Sequence, residues 1–431
     1  MSKADSHSRD RDCLRKMPTT ASGACPPKRV RAKWFFLYAF ASACFLFWWL
    51  RSLLVRVIFH LPDPVEDATI AISMVAVALF VVGYFLPTFG RPAHQFSEPI
   101  LDASGNFAYN ATILIAVLAL PIAVLVWYSR MGRGYFGLAI PFLYQAVLYT
   151  HLFFGFMYLG AAQPEKHGWN RILTVSILVT LPRLIISLNG GRFFLAQAII
   201  PALLIAIARG WIRLSAKRLL QIAALALVII FVPALTRGDQ LIGPEGNFQL
   251  FMGSNILGLF QDNTDLSLNE NCPPLLISLT AKVIPYGLLG VCVIDTAGVE
   301  NMPATLEHIL TNNEPESLNG TVSGTGSIYL LELYVTGGIF AVYAGSALFG
   351  FTCRRFVGWI GMRSLFSGIW AECLTRALFA PRGNLGYVYE RIPSLVLATL
   401  LVVLVVWAGR VLMRGVAAQL HTKDPTLGVA E

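Results

Sequence analysis

Residues 236–325 hold an unusual density of carboxylates. Asp239, Glu245, Asp262, Asp265, Glu270, Asp295, Glu300, Glu307, Glu314 and Glu316 stand against only two bases, Arg237 and Lys282. A stretch this long that is neither a short connection nor a low-complexity linker is usually functional. It empties into the run Gly324-Thr-Gly-Ser-Ile-Tyr-Leu-Leu-Glu-Leu-Tyr-Val-Thr-Gly-Gly338, which reads as the start of a membrane helix. There Tyr329, Glu332 and Thr336 recur at helical spacing and share a face. At a rise of ~1.5 Å per residue, Glu332 lies on the order of 9 Å along that helix from Gly326. An ionisable group at that depth is a site hypothesis by default; a carboxylate there suits a general base, or else a purely structural ion pair with one of the arginines that follow. Asp239, two residues after Arg237, is the second candidate base, against its plainer reading as a solvated loop acid.

The complementary charges are arginines. Arg192 opens a helix directly after Asn189-Gly-Gly191, and Arg237 follows the end of another. Arg376 lies late in an apolar run, Arg382 and Arg391 lie in the turn after it, and Arg183 lies beside Pro182. Once spans are assigned, all six fall on the side of the acidic loop. Lysine serves orientation as well as arginine, so sorting by charge alone does not predict the bias; a planar bidentate donor suits phosphate. The helix start at Arg192 adds free backbone N–H groups, a ready anion site. Any single arginine is also explained by snorkelling or by a local ion pair. Glu372 and Arg376, spaced i, i+4, read best as a pair that neutralises itself inside the bundle. Lone His151 reads as a packed core histidine. Tyr329 and Tyr334 suit sugar stacking or simple packing. There is no HExxH, no Cys/His cluster, no GxSxG and no Walker-type loop, so no metal and no cofactor is expected.

These groups must be positioned by membrane helices. The chain has 431 residues, 56% hydrophobic and 13% charged, with mean hydropathy +0.63. That composition places it among polytopic all-α membrane proteins. Apolar runs occur at 34–58, 68–89, 111–128, 136–160, 171–188, 192–208, 219–235, 326–351, 358–380 and 393–412, each approaching the ~20 residues a spanning helix needs. About ten spans follow, with one large external loop between spans 7 and 8. The organisation is a basic disordered tail (1–33), spans 1–7 (34–235), the loop (236–325), spans 8–10 (326–412) and a second tail (413–431). The net charge of +9 does not point to nucleic acid, because the bases gather in the N-tail and in short loops. The positive-inside rule puts 1–33, 209–218, Arg354-Arg355 with Arg363, and Arg410 with Arg414 in the cytoplasm, hence both termini. Arg130 and Arg133 land outside, against the rule. No cleavable signal peptide is evident.

Two features of the loop stay open. Cys272 and Cys292 could form a disulfide in an oxidising compartment or remain ordinary thiols. Pro273–Ile294 is apolar but carries Lys282 and Pro285, and parity favours an interfacial or re-entrant helix over an eleventh span. No repeat is visible.

With this arrangement the chain resembles the bacterial oligosaccharide repeat-unit polymerases, the O-antigen polymerases of the Wzy type. The likeness rests on the number of spans, the late external loop, the run Gly324–Gly338, Asn189-Gly-Gly-Arg192 and Pro381-Arg-Gly383, and covers residues 180–395. It implies an inner-membrane glycosyltransferase of the all-helical GT-C type, working on its outer face on glycan repeat units linked through pyrophosphate to undecaprenol. It implies Arg192, Arg237, Arg382, Arg376 and Arg391 for the pyrophosphate, Glu332 or Asp239 as base, Tyr329 and Tyr334 for sugar, and a chain-length regulator as partner. The related ligases carry a histidine-bearing motif in the loop, whose context His308 lacks. A lipid-linked oligosaccharide flippase is the competing class, though no inverted repeat supports it.

Overall fold

The computed structural model describes residues 28–53, 65–87, 96–130, 142–188, 192–212, 329–382, 385–389 and 392–423, with isolated positions between them. The described residues form helices and no strands. In chain order these are α1 (Lys28–Cys44), which runs through a π-helical turn (Phe45–Trp49) into α2 (Leu50–Leu53), then α3 (Asp67–Phe85), α4 (Glu98–Arg130), α5 (Phe142–Ala161), α6 (Pro164–His167), α7 (Trp169–Ser187) and α8 (Arg192–Ala208). Further along the chain come α9 (Tyr329–Ile360), α10 (Ser367–Phe379), a 3-10 turn (Ala380–Arg382), α11 (Leu385–Tyr389) and α12 (Ile392–Lys423). Among the described residues, six helical segments are long and apolar enough to cross a membrane: Ala32–Trp49, Asp67–Phe85, Glu98–Ser129, Trp169–Ser187, Tyr329–Ile360 and Ile392–Met413. Large apolar side chains stay exposed along them, Leu114, Val117 and Leu118 on α4 and Leu397, Leu401, Leu404 and Val405 on α12 among them. Water would penalise such surface, and lipid accepts it.

Helices stand at nine of the ten expected positions; 219–235 lies almost wholly outside the described residues. Three differ in ways that matter. Span 3 begins earlier, because α4 extends back to Glu98. The run 358–380 is not one helix: α9 ends at Ile360, a turn intervenes, and α10 has 13 residues. At ~1.5 Å per residue that is well short of a ~30 Å hydrocarbon core. Instead α10 is enclosed, packing on α1, α5, α8, α9 and α12 with nearly every residue buried.

The third difference is α9, expected as a single span over 326–351. It breaks at Gly337 and Gly338, and Gly338 adopts φ 61°, ψ −158°, a region essentially reserved for glycine. The chain reverses there. Residues 333 and 345 would be ~18 Å apart in a straight helix, yet a Cβ on Gly345 would lie 2.6 Å from the Leu333 side chain. Likewise the Tyr329 and Phe349 rings sit 5.6 Å apart. Arm 329–336 therefore lies antiparallel against arm 339–360, and only the longer arm has a spanning length.

Close backbone contact locks the longer arm to α3. A Cβ on Gly83 would fall 1.9 Å from the Ala347 carbonyl oxygen, and one on Gly350 would fall 2.0 Å from that of Phe80. Small residues permit this approach, the usual basis of helix association in lipid. Phe36, Phe40, Phe80, Tyr84 and Phe349 fill the space around the crossing, with Phe40 and Phe80 stacked at 3.9 Å between centroids.

The bundle has two distinct ends. At one, Arg363 pairs with Asp102 and Lys166 reaches the same carboxylate at 3.2 Å. Arg209 donates there to the carbonyls of Leu159, Gly160, Ala162 and Met362, closing the C-terminus of α5. Burial, with Arg363 nearby, lowers the Arg209 pKa to about 10, so the clasp stays charged at neutral pH. At the other end Arg56 pairs with Asp67, and Gln261 accepts the Glu66 N–H at 2.8 Å.

Candidate functional site

Sequence places chemistry at Glu332 and in the turn after Arg376, and the fold brings these together. The turn is enclosed: Ala380, Pro381, Leu385 and Val388 are all buried. Two side chains from distant parts of the chain hold it. Trp48 donates its indole Nε1–H to the Pro381 carbonyl at 2.7 Å, and Glu332 Oε2 accepts the Leu385 N–H at 2.6 Å. Each contact satisfies a backbone group that burial would otherwise strand.

Local structure explains why these two residues reach the turn. Trp48 sits in the π-helical turn, where the wider coil changes which way successive side chains project. Its neighbour Trp49 donates instead to Ser73 Oγ of α3 at 2.9 Å. Glu332 is carried in by the reversal at Gly338, which folds arm 329–336 into the interior and leaves the carboxylate with no solvent exposure. Tyr329, on the same arm, is fully buried between Trp48 (centroids 5.7 Å apart) and Phe349. Tyr334 meets Phe260 edge-on at 5.5 Å. Both tyrosines thus make ring contacts within the bundle.

α10 enters the turn carrying a second buried charge. Arg376, 1% exposed, binds Glu372 Oε1 through Nη2 at 3.1 Å and Nε at 3.3 Å. This is the self-neutralising pair that the i, i+4 spacing predicts, so Arg376 is engaged in an ion pair. Arg183 is buried too, donating to the Leu148 carbonyl at 3.3 Å with its guanidinium 4.8 Å from the Tyr149 ring centroid. Buried His151 lies beside it on α5.

No family model, curated protein or solved structure matches this chain.

The remaining site residues are placed by backbone or not at all. Arg192 is the first residue of α8, and Arg382 closes the 3-10 turn between the two anchored positions. Arg237, Asp239 and Arg391 lie outside the described residues, as do Cys272, Cys292 and segment 273–294. Among the described residues no group of His, Cys, Asp and Glu could hold a metal ion.

A sizeable cleft lies elsewhere. It measures about 610 Å³ and lies at the Arg209 end, bordered by Trp169, Trp211, Arg209 and Arg363. Its size does not make it the reaction site, because both arginines already serve protein carbonyls and carboxylates.

Trp48 carried no signal in sequence. Nothing local to a tryptophan pair within an apolar run marks a hydrogen bond to residue 381.

Proposed function

We propose that this chain is a membrane glycosyltransferase that polymerises undecaprenyl-pyrophosphate-linked repeat units into surface polysaccharide at the outer face of a bacterial inner membrane. The observation that carries the reading is the turn after α10, where Ala380, Pro381, Leu385 and Val388 are buried. It brings Arg382 to the arm bearing Glu332 and sets both beside the bundle end reached by Gln261 of the acidic loop. The sequence resemblance supplies the reaction. A hydroxyl at the non-reducing end of one lipid-linked unit attacks the anomeric carbon of the growing chain. The bond from that carbon to the pyrophosphate oxygen breaks as the glycosidic bond forms. Arginines receive the negative charge of the leaving lipid pyrophosphate, and a carboxylate takes the hydroxyl proton. Arg192, Arg237, Arg382 and Arg391 are the arginines we assign. Of the two candidate bases, Asp239 fits better than enclosed Glu332. In this reading the Arg209 end faces the cytoplasm, and a chain-length regulator is a natural partner.

A flippase for the same lipid-linked glycans is the second reading, favoured by the charged groups sunk in apolar helices, Glu372 with Arg376 and Arg183. Complementation separates the two. A strain lacking the gene is given wild type, Arg192→Ala or Arg382→Ala; surface glycan is resolved by gel and protein amount by immunoblot. Single repeat units at the surface in well-expressed variants support the polymerase. Absence of any repeat unit from the outer face points to the flippase.

A further inference from the structure

We infer that Trp48 and Glu332 are positioning residues, a two-point clamp that fixes the turn carrying Arg382. The inference rests on the proposed function only for what Arg382 does; the clamp itself rests on geometry. Its two contacts flank Arg382 closely. Trp48 holds the carbonyl of residue 381, and Glu332 holds the N–H of residue 385. Both clamping side chains are buried, at 2% and 0% exposure, so neither contact competes with water. The two are also braced against each other, because Tyr329 on the Glu332 arm packs on the Trp48 ring. The hinge at Gly338 and the π-helical turn at Phe45–Trp49 are the irregularities that aim them. Two separate departures from regular helix thus converge on one five-residue segment. Its first hold is on the residue directly before Arg382.

This gives Glu332 a task other than proton transfer. A general base needs a carboxylate with room for a substrate hydroxyl, whereas a clamp needs only an oxygen that accepts an N–H. Glutamine supplies such an oxygen and cannot act as base at neutral pH. Glu332→Gln, Glu332→Ala and Trp48→Phe therefore separate the roles.

Two measurements are made on purified full-length chain in detergent. The first, amide hydrogen exchange of the peptide spanning 380–389, does not depend on function. Exchange should speed roughly tenfold in Glu332→Ala and Trp48→Phe, as expected for a lost buried hydrogen bond, and stay near wild type in Glu332→Gln. Unchanged exchange in both Glu332→Ala and Trp48→Phe overturns the clamp. The second is polymerisation of lipid-linked repeat units across pH. Glu332→Gln should keep most of the wild-type rate and an unaltered pH profile, while Glu332→Ala and Trp48→Phe lose about tenfold or more. A loss of roughly a hundredfold or more in Glu332→Gln, or loss of a limb of its pH profile, overturns the positioning role and restores Glu332 as base. If wild type forms no polymer yet exchange behaves as stated, the polymerase reading fails and the clamp stands.

Discussion

Two carboxylates in apolar helices, Glu332 and Glu372, reach burial by different means. Glu372 is neutralised on its own helix by Arg376, one turn away. Glu332 accepts a backbone N–H 53 positions along the chain, a long-range contact set by the fold. The pair on α10 should behave as a unit. Removing one partner strips the other of a buried counter-charge, so Arg376→Ala or Glu372→Ala should each cost ~3–5 kcal/mol, while the apolar double variant Glu372→Leu/Arg376→Met should lose much less. Thermal unfolding followed by monodisperse yield in detergent checks this. A double variant no better than either single one would show that the pair acts through more than mutual neutralisation.

At the scale of elements, the decisive features are places where regular helix gives way. Without the reversal at Gly338, arm 329–336 would continue α9 outward and Glu332 could not meet Leu385. Without the π-helical turn, the two indoles would not divide between Pro381 and Ser73. The crossing of α3 and α9 depends in turn on bare backbone. Gly350→Ala puts a methyl 2.0 Å from the Phe80 carbonyl oxygen and must push the helices apart, whereas Gly358 on the same arm has nothing within 4 Å. Gly350→Ala should lower stability by ~1–3 kcal/mol, as overpacking does, and Gly358→Ala should be neutral or slightly stabilising by helix propensity. Melting temperatures of the two variants in one detergent provide the comparison.

For the molecule as a whole, the two ends carry different chemistry and invite a test of orientation. Arg209, Arg363 and Lys166 cluster at one end, and Asp67 and Gln261 mark the other. The positive-inside rule predicts that the first end faces the cytoplasm. Reporter fusions should then give cytoplasmic activity after His167 and external activity after Asp63. The opposite pattern would invert the protein and put the proposed site on the wrong face of the membrane.

Composition and apolar runs were enough to determine an all-helical membrane protein, because lipid admits few solutions to backbone hydrogen bonding. The i, i+4 spacing of Glu372 and Arg376 likewise predicted their pairing, a contact that helix geometry settles locally. How an apolar run is used was a different matter: 358–380 looked like one span and 326–351 like a straight one, but hydropathy shows neither that a helix is enclosed by others nor that it turns back. The Gly337-Gly338 pair was visible as a motif, yet its effect depended on where Leu333 and Tyr329 could pack once the chain turned back. Only the tertiary structure decided that Glu332 points inward at residue 385, that the turn with Arg382 is buried, and that Trp48 holds it. Those contacts join residues 53 and 333 positions apart, and local periodicity carries no information across such distances.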